Sequence, residues 1–261
     1  MSKNSMTVVT RVLAGSCLLV SLCLAQVQIA LVPVTATISL EKSAITQHEP
    51  LILDVAFNST SQQSVGINLG YDNERVDVKV IDPEGQVFHK PQPHRREGMI
   101  FSEAVYVSAG SVSVSSVVLS DWFDFEKIGD YQIEVTLPSL SDSSSYSVAS
   151  TQLRLDLSVH PRDDVSLESS CAGLLVRTQD MHSSAAASTA AKALASVKDS
   201  AAVPYLAAAT KSKVFASMMI DALARLKTEE AIEALISVSR SKDPEARTLA
   251  RSALVSLGKA Q

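Results

Sequence analysis

Basic charge is scarce over the first half of this chain. Residues 26–160 hold 8 basic and 17 acidic side chains, a net of −9, whereas residues 161–261 hold 13 and 11. A nucleic-acid-binding protein needs a basic face, so this balance argues against one. Cysteine is scarcer still. Cys17 and Cys23 lie in an apolar N-terminal segment, which leaves only Cys171 and no internal disulfide once that segment is removed. Nine glycines and nine prolines among 261 residues, with 46% hydrophobic residues, argue against disorder and leave room for two globular domains. Several catalytic signatures are also missing: no Gly-x-Ser-x-Gly, phosphate-binding loop, dinucleotide fingerprint or His-Glu-x-x-His occurs. An enzyme is therefore not the expectation, and neither a cofactor nor a metal is called for.

What is present begins with an export signal, residues 1–25. Lys3 and Arg11 supply the positive start, and the apolar run Val12–Ala25 falls short of the ~20 residues that span a bilayer. Cys23-Leu24-Ala25 ends it with small-x-small before Gln26. A cut after Val34-Thr35-Ala36 is the alternative, and an uncleaved anchor is a third, since apolar residues resume at Ile29–Val32. Gln26 and Gln28 interrupt the run and favour removal. The expected location is therefore secreted or periplasmic, with membrane attachment only if the segment stays.

Residues 37–160 read as strands. Leu51, Leu53, Val55 and Phe57 alternate with Ile52, Asp54 and Ala56, and period two recurs at Val76–Val80, Tyr131–Leu137 and Leu153–Val159. Such alternation puts one face in a core and the other in water. Asp82-Pro83-Glu84-Gly85 supplies a turn. With further runs near Thr37–Leu40, Val65–Leu69, Ala104–Val107 and Ser111–Leu119, about eight strands form a β-sandwich pattern. The serine-rich stretch Ser139–Ser147 reads as an excursion before the last strand. Gly129-Asp130-Tyr131 entering a late strand resembles the tyrosine corner of immunoglobulin-like domains, with Ile133 where antibody domains place a cysteine. The likeness to immunoglobulin-like modules of bacterial exported proteins implies binding more often than catalysis.

Residues 165–258 read as repeated helix pairs. Ala193-Leu194, Ala222-Leu223 and Ala253-Leu254 open equivalent slots 29 and 31 residues apart, and Cys171, Ala202 and Ala231 mark an earlier slot at spacings of 31 and 29. Asp243-Pro244 is an N-cap followed by proline at the first helical position, and Thr228-Glu229-Glu230 starts the helix before it. Leu249, Ala250, Ala253, Leu254 and Leu257 form one apolar stripe. The unit, with Asp243, Pro244 and Arg247 followed by Ala-Leu-x-x-Leu, resembles the short HEAT-like repeat first described in phycobilisome lyases. That resemblance implies a short α-solenoid that binds proteins, implies no catalytic residue, and places Arg247 in a structural ladder with the loop aspartate.

The fold expected is thus an immunoglobulin-like β-sandwich followed by HEAT-like helical pairs. The function expected is a non-enzymatic adaptor of the cell envelope; a regulator or inhibitor of a secreted hydrolase, acting through sandwich loops, is the alternative. Arg225, Arg240 and Arg251 are the candidate partner-binding residues, set on a ridge left exposed when the early helices dock on the acidic strands. Asp121, Asp124, Glu126 and Asp130 lack the ligand spacing of a calcium loop, and His89 and His94 lack a third zinc ligand. The basic loop His89–Glu97 reads as solvated, and Cys171 as a small buried residue.

Overall fold

The structure, a computed structural model, describes residues 32–60, 62, 64–69, 73, 75–91, 104–142, 146–180 and 183–259. Strands occupy its first part and helices its second, so the fold is β plus α. One five-stranded sheet has the order β10-β11-β1-β3-β8, built from β1 (Val32–Leu40), β3 (Ile52–Ser59), β8 (Val112–Val118), β10 (Leu140–Asp142) and β11 (Tyr146–Val148). The other runs β2-β12-β9-β5-β6, from β2 (Ala44–Thr46), β5 (Asp77–Ile81), β6 (Val87–His89), β9 (Gly129–Leu137) and β12 (Thr151–His160). A two-stranded ribbon joins β4 (Val65–Asn68) to β7 (Ala104–Val107).

Period two explains the core. Leu53, Val55 and Phe57 of β3, Val78 and Val80 of β5, and Ile133, Val135 and Leu137 of β9 all enter one buried cluster. Four strands of three residues (β2, β6, β10 and β11) are too short to register as alternation. The serine-rich stretch, expected as a flexible excursion, instead carries β10 and most of β11, whose Leu140, Tyr146 and Val148 are buried. The strand region also starts before residue 37. Val34, Thr35 and Ala36 pair with Ser59, Asn58 and Phe57 across β1 and β3.

Among the described residues six α-helices follow: α1 (Asp164–Thr178), α2 (Ser184–Ser196), α3 (Val203–Ala209), α4 (Ala216–Leu226), α5 (Glu229–Val238) and α6 (Pro244–Ser256). Polar caps set their starts. Asp163 accepts from the Ser166 amide, Thr228 from Ala231, and Asp243 from Glu245 and Ala246. Lys227, at φ 57°, ends α4, and Gly258, at φ 68°, follows α6. Each helix packs on its sequence neighbour (α1 on α2, α3 on α4, α5 on α6) and also on the helix two further along. Short turns make the neighbours antiparallel, so the pairs stack as two layers, α1-α3-α5 and α2-α4-α6. Cys171, Ala202 and Ala231 are fully buried between the layers, as are Ala193 and Ala222 to within 2%; Ala253 is half-buried.

The first pair sits on the strands. Ile52 and Val118 belong to the cluster that holds Leu167, Leu174 and Leu194, so the β3 face expected to be wet is dry where α1 and α2 cover it. No helix among the described residues is long and apolar enough to cross a membrane.

Candidate interaction surfaces

The junction between strands and helices is polar at its rim. The Glu49 carboxylate, 5% exposed, accepts from the Thr46 amide at 2.6 Å, the Ser170 hydroxyl at 2.5 Å and the Lys42 ammonium at 2.9 Å. Burial by itself would raise its pKa, but Ser170, Thr46 and Lys42 together outweigh that and hold it below the usual carboxylate range. Arg162, in the link after β12, makes a two-pronged contact with Asp199 at 2.7 and 3.0 Å, and its amide donates to the Gln47 side chain. That guanidinium, outweighing burial, keeps Asp199 below its ordinary pKa. Lys198 pairs with Asp124, Arg177 with Glu41 at 2.8 Å, and Ser120 with Ser196 at 3.0 Å. A cleft of about 250 Å³ opens beside these contacts, over Leu51, Ile52, Gly173 and Leu174.

The Gly129-Asp130-Tyr131 motif builds a second rigid point. Tyr131 is 2% exposed, and its hydroxyl accepts from the Lys127 amide at 3.0 Å. Burial raises the phenol's pKa. The Lys127 ammonium reaches Asp82 and Glu84 at 2.6 Å each, tying the 82–85 turn to the start of β9, and its own pKa rises to about 12. Gly129 has φ 133°, and a side chain there would meet Pro83 at 3.0 Å.

The candidate partner-binding arginines do not form one patch. Arg225 is exposed, yet its guanidinium donates to the Ala195 carbonyl near the end of α2 at 3.0 Å. It thus lies at the edge of the stack formed by the α2–α3 and α4–α5 turns. Arg240 lies at the other end of α5, about 15 Å away for ten residues of helix. Arg251 is exposed on α6, apart from both turns. Arg247 donates to the Ser241 carbonyl at 3.2 Å, while Asp243 spends its carboxylate on the helix amides.

The edge holding Arg240 carries lysines as well. Lys211 and Lys213 stand exposed in the α3–α4 turn and Lys242 in the α5–α6 turn, with Val214 80% exposed beside the first two. Repeat register was the available signal: turns one repeat apart stack on the same edge.

The acidic residues near Trp122 are dispersed. Asp124 faces Lys198, Asp130 accepts from Ser158 at 2.7 Å, and Asp121 ends a 3-10 turn. Among the described residues, no three His, Cys, Asp or Glu side chains are placed to hold a metal ion. His89 is exposed on β6, and the Lys90 ammonium donates to the Asn73 and Val76 carbonyls at 2.8 and 3.2 Å, while residues 92–97 of the basic loop, His94 among them, lie outside the described residues. Cys171 is fully buried, and burial together with Asp199, Glu49 and Glu168 pushes its thiol up to about 12, which makes it a poor nucleophile.

No family model matches this sequence. No curated protein matches it either. Among solved structures, a β-glucosidase from Listeria innocua in complex with isofagomine is similar over 48% of this chain and 16% of its own, at 11% identity and a TM-score of 0.26. A CARDB domain from Pyrococcus furiosus in complex with di-metal ions is similar over 49% of this chain and 94% of its own, at 12% identity and a TM-score of 0.26. An alkylpurine DNA glycosylase from Pseudomonas fluorescens bound to DNA is similar over 50% and 31%, at 12% identity and a TM-score of 0.24. The chain therefore spans about a sixth of the β-glucosidase's length, and likenesses at these scores carry no inference about activity.

Proposed function

We propose that this chain is an exported, non-enzymatic protein-binding adaptor of the cell envelope, an immunoglobulin-like sandwich fused to a short HEAT-like solenoid. The observation that carries the reading is the two-layer stacking of α1-α3-α5 against α2-α4-α6, in which each pair touches chiefly its neighbours. That arrangement suits a repeat scaffold whose turns and outer helix faces are left for partners. The strand orders β1-β3-β8 and β12-β9-β5-β6 parallel the two sheets of immunoglobulin-like domains, and the Tyr131 hydroxyl bonded back to Lys127 supports the same assignment.

Export rests on the N-terminal sequence, and β1 bears on where a cut can fall. Cleavage after Ala36 would remove Val32–Ala36, which pair with β3 and β11, whereas cleavage after Ala25 leaves the strand whole. A mature N-terminus at Gln26 is the expected mass-spectrometric result. The adaptor reading is tested by capture from an envelope extract with the tagged mature chain. Reproducible recovery of a structural or transport assembly supports it; turnover of a substrate by the purified chain would sink it.

A further inference from the structure

We propose that the stack edge made by the α3–α4 and α5–α6 turns docks an acidic polypeptide segment of a partner protein. The inference rests on the adaptor reading and names the partner's chemistry. Lys211, Lys213, Arg240 and Lys242 are exposed there, and among the described residues none of them makes an ion pair. Arg247 adds a fifth cation, its guanidinium clamped on the Ser241 carbonyl so that the turn is held in shape. Two carboxylates accompany these five cations. Asp243 is turned onto the α6 amides, and Glu245 is exposed in the first helical turn. The edge is therefore net positive, and its four long cationic side chains are available.

The opposite edge shows what such groups do when an acidic surface is at hand. There Lys198 is paired with Asp124 of the strand region, and Asp199 and Arg225 are consumed by Arg162 and the Ala195 carbonyl. The same chemistry stands unanswered on the free edge. Stacked helix pairs put the two turns about 10 Å apart. An extended chain rises ~3.3 Å per residue, so carboxylates three residues apart reach both turns. Val214, 80% exposed between the cations, offers one small apolar contact. A lipid surface is the poorer fit, because Val214 is the only exposed large apolar side chain the two turns offer among the described residues.

Exposed ion pairs are individually weak and screened by salt, so binding should be modest and should fade as ionic strength rises. The test is fluorescence anisotropy of a labelled glutamate-rich peptide with a central leucine, titrated with the mature chain at low salt. Its glutamine counterpart serves as control. Simultaneous reversal (K211E, K213E, R240E, K242E) should weaken binding at least ~tenfold. The milder set K211Q, K213Q and K242Q should weaken it less, and R251E should leave it within about twofold. Thermal melts confirm that each variant folds.

Equal binding by the wild type and the reversal variant, or no binding at low salt, overturns the proposal. So does capture of phosphatidylglycerol vesicles through the same residues when the peptide is ignored. Concentration-dependent self-association abolished by the reversal overturns it too, in favour of a second copy. The two readings separate in the envelope extract: a partner recovered equally by wild type and reversal variant leaves the adaptor standing and sinks the edge. Edge-dependent peptide binding with no partner recovered supports the edge and counts against the adaptor.

Discussion

The strand region and the helical region keep water out with different side chains. The strand cluster is built from Phe57, Leu51, Leu53, Ile67, Ile133 and Leu137, and among the described residues none of its fully buried members is an alanine. In the helical cluster alanine supplies more than a third of the buried positions, among them Ala190, Ala191, Ala193, Ala202, Ala222 and Ala250. Alanine lets helices approach closely but removes little apolar area from water per residue. The strand region can therefore supply a core from its own sheets, whereas the helices draw on what they are docked against. Ile52 and Val118, strand residues by sequence, are core residues of the helical cluster.

Separating the two regions should have the largest effect. A fragment of residues 161–261 loses Ile52 and Val118 as cover, at ~1.5–3 kcal/mol for each apolar side chain removed from the core. It also loses the Glu49 and Lys42 contacts to Ser170. We expect it to unfold about 3–6 kcal/mol less stably than the same helices in the intact chain, read from urea titrations followed at a helical wavelength. Independent, cooperative melting of the fragment at the intact chain's temperature would dissolve the contrast.

Within the intact chain the two cores should fail in opposite ways. Phe57→Ala opens a cavity among fully buried large residues and should cost about 3–5 kcal/mol. Ala193→Leu does the reverse: Ala193 is fully buried in α2, the helix that also packs on the strands, and added bulk must push the layers apart for about 1–3 kcal/mol. Denaturant midpoints measure both, and a well-tolerated leucine would show that the helical core has slack.

Much of this division was legible in the residues. Alternation located β3, β5, β9 and β12, and the spacing of Ala193, Ala222 and Ala253 located three helix pairs, because both signals are periodicities of one segment. The dry side of Ile52 was not legible, since that face is covered by helices more than a hundred residues away. Along β12, Leu153 is 38% exposed although it keeps period with buried Leu157 and Val159. The sequence sets the candidate arginines Arg225, Arg240 and Arg251 on one ridge, yet Arg225 and Arg240 flank α5 at opposite ends. Only the antiparallel turn-to-turn stacking brings Lys211 and Lys213 beside Arg240.

Acid should find the junction through its carboxylates. Glu49 and Asp199 both titrate below their ordinary values in the folded chain. A depressed carboxylate contributes stability that is fully present above its unfolded value, ~4, and is lost as pH falls through the folded value. Glu49→Gln keeps the shape and removes the charge. It should cost about 1.5 kcal/mol at neutral pH and flatten the loss of stability below pH ~4. A variant whose thermal midpoint tracks the wild type at every pH would show that the Glu49 network is ornamental to docking.

The smallest effect expected is inside the strand region, at Tyr131. Its hydroxyl accepts the Lys127 amide at 3.0 Å, and its ring meets Phe125 edge-on at a centroid distance of 5.4 Å. Tyr131→Phe preserves the ring and that contact but takes away the acceptor, leaving the Lys127 amide without its partner. Removing one neutral hydrogen bond costs about 1 kcal/mol, and a donor left dry raises the figure. The Lys127 ammonium keeps its hold on Asp82 and Glu84, so the 82–85 turn should stay in place. The loss should therefore appear as a lowered urea midpoint with an unchanged slope, because the surface exposed on unfolding is the same. It should also leave the helical region untouched, since nothing in the Tyr131 contacts crosses the junction. A changed slope would mean that the corner holds the two regions together, and no change in midpoint would mean that the hydroxyl is not fixing the entry of β9.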